Sequence, residues 1–309
     1  MRGPDFCRMR WWLCLFAAAL AGCTEQTPGQ CLKNAMAVPE LFGGLMIVGT
    51  GSNAVWIYAD EAAKVRRDRF QAAASLTKPL VAAEIARMVA RGDVALDQPI
   101  SEALPEIDMD DKVFANVTIR RLLQHTAGFD LGASGDPLLQ ASGMERCPAA
   151  ARAVLARHLD FTPGERVVYS NTGYCLLGEV IKHHDRELTP SLRKALGAHY
   201  GAAGGWYTPL DQLYGALWKT LPVPGLPPEA KLPDGSYYGF AWRRWPEGAD
   251  MPPWTHFGRL PGTFSVALTD GQSHLLVAHF RGDPLDYNKT GKAFSRKAWH
   301  CLAGWRGGR

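Results

Sequence analysis

Ser75-Leu76-Thr77-Lys78 places a hydroxyl and an amine three residues apart. Residues at i and i+3 of a helix share a face, so the Lys78 amine can reach the Ser75 oxygen. Serine is a weak nucleophile at its own pKa and needs an adjacent base. A lysine amine serves as that base only when burial or a second cation lowers its pKa. At a helix start, backbone N–H groups also face the oxyanion that forms on the attacked carbonyl. The chemistry open to this pair is acyl transfer through a covalent serine intermediate. Ser and Lys are common, so the pattern arises by chance about once in a chain of this size. Ser191-Leu192-Arg193-Lys194 is indeed a second copy. Their surroundings separate the two. Ser75 follows two strand-like runs and opens a long apolar helix, whereas Ser191 follows Pro190 in a polar, basic stretch. Ser191 reads as the decoy, with Arg193 and Lys194 solvated.

The elements that position Ser75 follow from periodicity. LMIVGT and AVWIYA, separated by GSN, read as a β-hairpin. From Leu80 through Ile85, Ala86 and Val89 the apolar residues recur at helical spacing, with Pro79 in the first turn and Gly92 closing the helix. Thr118 caps a second helix, Ala149 to Leu159 with Pro148 at its start forms a third, and Ser170 to Ile181 a fourth. Thr208, with Asp211 three residues on, resembles a capping box for a fifth. YYGFAWRRW, GTFSVALT and SHLLVAHF then read as strands, and Asp270-Gly271 predicts a two-residue hairpin between the last two. Gly291 to Ala303 closes the chain as a helix. Strands at both ends with helices between imply an α+β fold, its antiparallel sheet built from N- and C-terminal strands beside an all-helical region.

The N-terminus carries Arg2, Arg8 and Arg10 and then WWLCLFAAALAG, the pattern of an export signal. About a dozen apolar residues are too few to cross a bilayer, which takes about 20 in a helix. Leu20-Ala21-Gly22-Cys23 resembles the lipobox of bacterial lipoproteins, in which the Cys becomes the lipidated first residue. Thr24 after it resembles proteins sorted to the outer membrane. The expected organisation is a signal over residues 1–22, a tether over 23–39 and one domain over 40–309. The expected location is lipid-anchored at Cys23, facing the periplasm. Four thiols then remain, and an exported protein can keep disulfides. Cys31 and Cys301 lie near the two ends of the domain, which are commonly close in space, so they are the expected pair. Cys175, in an apolar stretch, reads equally as a buried free thiol. The formal net charge of +4 and the lack of like-charge blocks argue against a nucleic-acid partner.

Several stretches in order resemble one family. FQAAASLTKPLVAAEIARMVARGDVALDQPISEALPE resembles the nucleophile segment of class C β-lactamases, D-alanyl-D-alanine carboxypeptidases and related serine esterases. VTIRRLLQHTAGF resembles their Leu-Leu-x-His-Thr-Ser-Gly stretch, with Ala127 in place of Ser. FTPGERVVYSNTGYCLLGEVI resembles their Tyr-x-Asn motif and the helix after it, and AAGGWYTPLDQL a further helix start. The likeness runs from about Leu45 to the C-terminus. It implies a β-lactamase/transpeptidase-like fold in which Ser75 is the nucleophile, Lys78 and Tyr169 move protons, and Asn171 holds Lys78 and a substrate amide. His125 reads as a structural residue at a turn. The chain from Tyr169 to His256 is short beside class C β-lactamases, which implies a reduced helical region and an open cleft.

The family also has a strand motif of Lys or His, any residue, then Gly. Lys289-Thr290-Gly291 and His256-Phe257-Gly258 both qualify. Only one helix and a tail fit after Gly291, whereas RLPGTFSVALTDGQSHLLVAHF after Gly258 supplies the strands that should come next. HFGRLPG also matches the family's His-x-Gly-x-x-Pro-Gly form. His256, Gly258 and Arg259 are therefore the expected substrate-binding residues, with the Ser75 and Arg259 N–H groups as the oxyanion hole. Phe257 stands where many relatives have a threonine that holds a substrate carboxylate, and His256 is expected to be partly charged near neutral pH. Both points weigh against an efficient β-lactamase. The resemblance implies hydrolysis of a small ester or amide, with peptidoglycan- or β-lactam-like substrates, and no cofactor or metal. The alternatives are a carboxypeptidase or β-lactamase proper and a non-catalytic penicillin-binding-like lipoprotein.

Overall fold

The computed structural model describes residues 27–50, 53–58, 66–140, 146–156, 158–184 and 188–303. The export signal and Cys23 lie outside the described residues. Seven strands form the main sheet: β1 (Phe42–Gly49), β2 (Val55–Tyr58), β3 (Tyr237–Tyr238), β4 (Arg243–Arg244), β5 (Trp254–Leu260), β6 (Thr263–Thr269) and β7 (Leu275–Arg281). Their order is β2-β1-β7-β6-β5-β4-β3, every pair antiparallel. The join of β1 to β7, with Ile47 opposite Val277, brings the two ends of the chain into one sheet as expected.

Side chains alternate across a strand, and β1 uses both faces. Met46 and Val48 pack with Phe264, Val266, Leu276 and Phe294, while Leu45 and Ile47 pack with Leu76, Leu80, Leu213 and Val277. Two helices cover the first face: α1 (Pro28–Ala35) and the closing helix α9 (Tyr287–Ala303). Residues 28–35 were expected within a tether. Instead Leu32, Ala35 and Met36 are buried under the sheet, and Cys31 is bonded to Cys301 across a sequence separation of 270. The apolar spacing in CLKNAM buries one face, which a solvated tether would leave exposed.

The helical region lies in sequence between the N- and C-terminal strands. A single 3-10 turn, Ala74–Thr77, leads into α2 (Lys78–Arg91), which ends at Gly92 with φ +80°. Only glycine adopts that left-handed conformation without strain. After α2 come α3 (Ile119–Gln124), α4 (Arg146–Leu155), α5 (Asn171–His184), α6 (Pro190–Leu196), α7 (Gly201–Gly204) and α8 (Leu210–Trp218). Val81, Ile85, Leu122, Leu123, Leu176 and Leu177 share one core there. Cys175 is not a free thiol. It is bonded to Cys147, tying α4 to α5.

Four local expectations change. Helix α4 begins at Arg146 and ends at Leu155, earlier than expected at both ends. Thr208 does not cap α8, because it pairs with Gln71 in a short two-stranded ladder and leaves Pro209 at the cap position. YYGFAWRRW is two strands, since the chain reverses between Tyr238 and Arg243 with Ala241 at φ +66°. Asp270-Gly271 opens a five-residue loop, because the Asp270 carboxylate accepts the N–H groups of Gln272, Ser273 and His274. The two-residue hairpin is Pro261-Gly262, between paired Leu260 and Thr263.

Candidate active site

Ser75 sits in the 3-10 turn just before α2, after Ala74 at φ +49°. That turn is held from two sides. The Ala73 N–H donates to the Trp206 carbonyl, and β5 runs against the serine's backbone. A Cβ on Gly258 would come within 2.7 Å of the Ala73 oxygen and 3.1 Å of the Ser75 nitrogen, so only glycine lets β5 approach this closely. Strand β4 is two residues long and its pairing with β5 ends at Thr255. From His256 to Leu260 the outer edge of β5 is therefore free to meet a substrate.

Lys78, one helical turn on, is completely buried. Its Nζ lies 3.2 Å from Ser75 Oγ, 2.9 Å from Asn171 Oδ1 and 2.5 Å from the Ala203 carbonyl, which α7 presents. Two of these partners are obligate acceptors. An ammonium has three protons for the three contacts, while a neutral amine spends its two on the carbonyls and turns its lone pair to Ser75. Both protonation states fit one geometry. Burial pushes the Lys78 pKa down to about 7 against the opposing field of Asp136, so a large fraction of the amine is neutral near pH 7.

Asn171 begins α5, where Ser170 caps the helix by accepting the Gly173 N–H. Tyr169, just upstream, places its ring centroid 4.9 Å from Lys78 Nζ. Burial, reinforced by neighbouring phenols and opposed by the Ser75 hydroxyl, raises its pKa well above 10. The phenol therefore keeps its proton, and its buried oxygen, close to the Ser75 hydroxyl, makes no hydrogen bond of good geometry among the described residues. His125 is at a turn as expected, at φ +60°, and it supports Tyr169. Its Nδ1 accepts the Ser170 N–H, and its ring lies 4.3 Å from the tyrosine ring.

His256 does stand on β5 beside the cleft, but its expected partial charge is overturned. Burial, then the field of Lys78, lowers its pKa to about 3. Nδ1 is 2.9 Å from the Ala241 carbonyl, which can only accept. Nδ1 therefore carries the proton it gives to Ala241, and the buried Nε2, beside the Ser75 backbone, makes no hydrogen bond of good geometry among the described residues. Arg259 lines the same cavity, its Nε 3.8 Å from Asp283 Oδ1. The cavity has a volume of about 750 Å³ and also takes in Ser75, Tyr169, Asn171 and Phe257.

Sequence reasoning missed two features. Asp136 lines the cavity and accepts the Asn171 Nδ2–H at 2.8 Å. Arg243 and Lys292 share the carboxylate of Asp234 on the far wall, at 2.7 and 3.1 Å, leaving that wall net positive. Gly-Asp-Pro at 135–137 signals only a turn, and 35 residues separate Asp136 from Asn171. The rejected candidates lie elsewhere. Ser191 and Lys194 are on α6, with Lys194 exposed. Lys289 is exposed in the first turn of α9, its N–H capped by Asp286. Gly291 serves as the bed for Phe257, whose ring would lie 2.8 Å from an added Cβ. Among the described residues no group of His, Cys, Asp and Glu could hold a metal ion.

The sequence profile of the family described as beta-lactamase matches residues 30–199, more than half of the chain. A probable fimbrial assembly protein, FimD of serogroup H1 from Dichelobacter nodosus, is 37% identical over 109 residues, covering 35% of this chain and 28% of that protein. Esterase EstB of Burkholderia gladioli is 36% identical over 122 residues, 37% of this chain and 30% of the esterase. The matches thus span less than a third of these curated relatives' lengths. Among solved structures, a beta-lactamase/D-alanine carboxypeptidase from Yersinia pestis superposes with a TM-score of 0.65 at 16% identity, covering 89% of this chain and 98% of that one. At that identity the likeness is one of fold.

Proposed function

The chain belongs to the beta-lactamase family, and from that premise we propose that it is a serine hydrolase acting on a small ester or amide through an acyl-enzyme on Ser75. One observation carries this reading: a buried amine with a pKa near 7, hydrogen-bonded to the serine and to two carbonyls. As Ser75 Oγ bonds to the substrate carbonyl carbon, its proton passes to Lys78 Nζ and the carbonyl pair moves onto oxygen. The Ser75 and Arg259 N–H groups receive that oxyanion. When the carbonyl re-forms, the bond to the leaving alcohol or amine breaks. Tyr169 protonates the leaving group and regains its proton from the Lys78 ammonium. With its pKa raised, the phenol holds a proton to give and is not ionised to act as a base. Water then attacks the acyl-enzyme by the same route, with Lys78 as base and Ser75 as leaving group. The sum is ester or amide plus water giving acid plus alcohol or amine.

The positive wall of Arg243, Lys292 and Arg259 favours substrates bearing an anionic group, as peptidoglycan peptides and β-lactams do. It also supports the second reading, a carboxypeptidase or β-lactamase proper. Phe257 weighs against that reading, since the position between His256 and Gly258 offers no hydroxyl for a substrate carboxylate. A non-catalytic binder would have no use for Ser75, Lys78, Tyr169 and Asn171 together. Two disulfides support an oxidising compartment. We place the protein on the periplasmic face of the outer membrane, held by lipid on Cys23.

The test is acylation. Purified protein is incubated with a fluorescent penicillin and with a p-nitrophenyl ester, and the label is mapped. Ester turnover with label on Ser75, absent in Ser75→Ala, is expected. Wild type indistinguishable from Ser75→Ala with both reagents sinks the enzymatic reading. Cys23→Ala should leave the membrane fraction, and an unchanged distribution refutes the anchor.

A further inference from the structure

We propose that Asp136 is a positioning residue for acyl transfer: its carboxylate fixes which way the Asn171 carboxamide faces, and through it holds the Lys78 amine against Ser75. The inference rests on the Ser75–Lys78 reading above but concerns a residue to which that reading gives no role.

Asp136 is buried, just ahead of the short helical turn Pro137–Gln140. Its two oxygens do different work. Oδ1 accepts the Leu138 N–H at 3.0 Å and the Thr172 hydroxyl at 3.4 Å. The first caps a turn and the second ties that turn to the start of α5. Oδ2 accepts Asn171 Nδ2–H at 2.8 Å, on a side chain that lines the cavity. Capping does not account for that bond.

A carboxamide has a donor end and an acceptor end of nearly the same shape, and its neighbours alone decide which faces where. An ionised carboxylate only accepts, so Asp136 takes the NH₂ end and turns Oδ1 toward Lys78 Nζ, 2.9 Å away. Were the amide flipped, its NH₂ would face an amine that must donate, and the Lys78–Asn171 bond would be lost. The order is nucleophile, base, amide, carboxylate, each group oriented by the next. The carboxylate lies one amide away from the amine and acts on its charge. It is the one acidic group among the described residues whose field raises the Lys78 pKa. The other groups facing the amine carry no negative charge near pH 7. Tyr169 and Tyr174 present ring faces at 4.9 and 5.5 Å and keep their protons, and His125 and His256 are held neutral.

The experiment uses the full protein with Asp136→Asn, Asp136→Glu and Asp136→Ser. Two quantities are followed between pH 5 and 10: the ¹³Cε shift of Lys78, assigned by its loss in Lys78→Met, and the burst rate with a p-nitrophenyl ester. An opposite charge within about 4–6 Å moves a pKa by about 1–3 units. With an amide between, Asp136→Asn should lower the Lys78 titration by about one unit and carry the acid limb of the burst rate with it. The burst plateau should fall about 10–100-fold as the amide loses its orientation. Asp136→Glu should return the titration toward wild type. If Asp136→Asn does not fold, Asp136→Ser keeps an acceptor for Leu138 and carries the same expectation. A Lys78 titration unchanged in the charge-removing variants overturns the proposal, and so does a shifted titration with an unchanged burst plateau, because the field of a purely capping aspartate would move the titration alone. The carbon shift needs no turnover. A wild type that never acylates, with Lys78 still responding to Asp136, would count against the hydrolase reading and not against this one.

Discussion

Replacing Lys78 by Met should slow acylation by orders of magnitude and make the folded protein more stable. Lys78 is fully buried, and its pKa is lowered from 10.5 to about 7, by burial first and against the field of Asp136. The folded state therefore holds this proton less tightly than the unfolded chain. Between about pH 7 and 10.5 the unfolded chain binds more protons, so stability rises with pH across that window. Below about pH 7 the whole penalty applies. At about 1.4 kcal/mol per pH unit, it is on the order of 5 kcal/mol. Methionine is unbranched and of similar length, and it fills the same space without a charge. Against the gain, the Ala203 carbonyl loses a donor at about 1–3 kcal/mol, while Asn171 borders the open cavity and can turn to water. The net expectation for Lys78→Met is a gain of about 2–4 kcal/mol at pH 6, shrinking steadily toward pH 10. The burst rate with a p-nitrophenyl ester should fall about 10²–10⁴-fold, as for loss of a positioned general base. Denaturant unfolding with both disulfides intact, at pH 6, 7.5 and 9, measures the first quantity. A Lys78→Met protein less stable at pH 6, or a difference that does not vary with pH, would refute the claim that burial poises this amine.

In the wild type the acylation rate should follow the neutral fraction of Lys78, falling about tenfold per unit below pH 7 and levelling above it; a rate flat from pH 5 to 8 would assign the base elsewhere. Gly258→Ala puts a methyl against backbone atoms of Ala73 and Ser75, which cannot swing aside. It should cost about 1–3 kcal/mol in unfolding experiments and lower acylation about 10²-fold, and near-normal kinetics would show that β5 can retreat freely. Removing the Cys147–Cys175 bond with a double Ala variant frees a loop of 28 residues. It should cost about 2–4 kcal/mol by denaturant unfolding; no loss of stability would mean that α4 and α5 hold together by packing alone.

Legibility in the sequence tracks how local each feature is. Ser75 and Lys78 are one helical turn apart, so their meeting needs only a helix, which the apolar spacing after Pro79 supplies. His256-Phe257-Gly258 could be chosen over Lys289-Thr290-Gly291 because the stretch of chain downstream of each triplet is local too, and the structure puts the first on β5 and the second in α9. Asn171 is 93 residues from Lys78, and Ala203 is 125, so the first entered through family likeness and the second not at all. The misread turns share one cause. Asp270-Gly271 has hairpin composition, but one carboxylate accepting three backbone N–H groups stabilises a longer loop, and side-chain capping of that kind leaves no periodicity. Helix α1 reads as tether because a short terminal segment shows its buried face only once its partner helix, 270 residues on, is placed beside it.

Charge was the least legible property of the site, and the reason bears on its chemistry. His256 carries a side chain whose ordinary pKa suggests partial protonation, yet burial and the field of Lys78 leave it neutral. His125 is buried in the same patch, and Lys78 and His256 both act to keep it neutral. Three bases thus stand within one cluster of rings, and a proton on any of them discourages protons on the others. Lys78 has the highest intrinsic affinity and, among the described residues, the one carboxylate acting on it, so it holds the single positive charge the cluster can sustain. Both imidazoles are further committed by their Nδ1 atoms, one accepting from Ser170 and the other donating to Ala241. Neither can turn to take the serine proton without stranding a backbone group. The serine is left with one base whose protonation changes near neutral pH. That is why a single acid limb, set by Lys78 and tuned by Asp136, is the behaviour this arrangement of residues demands.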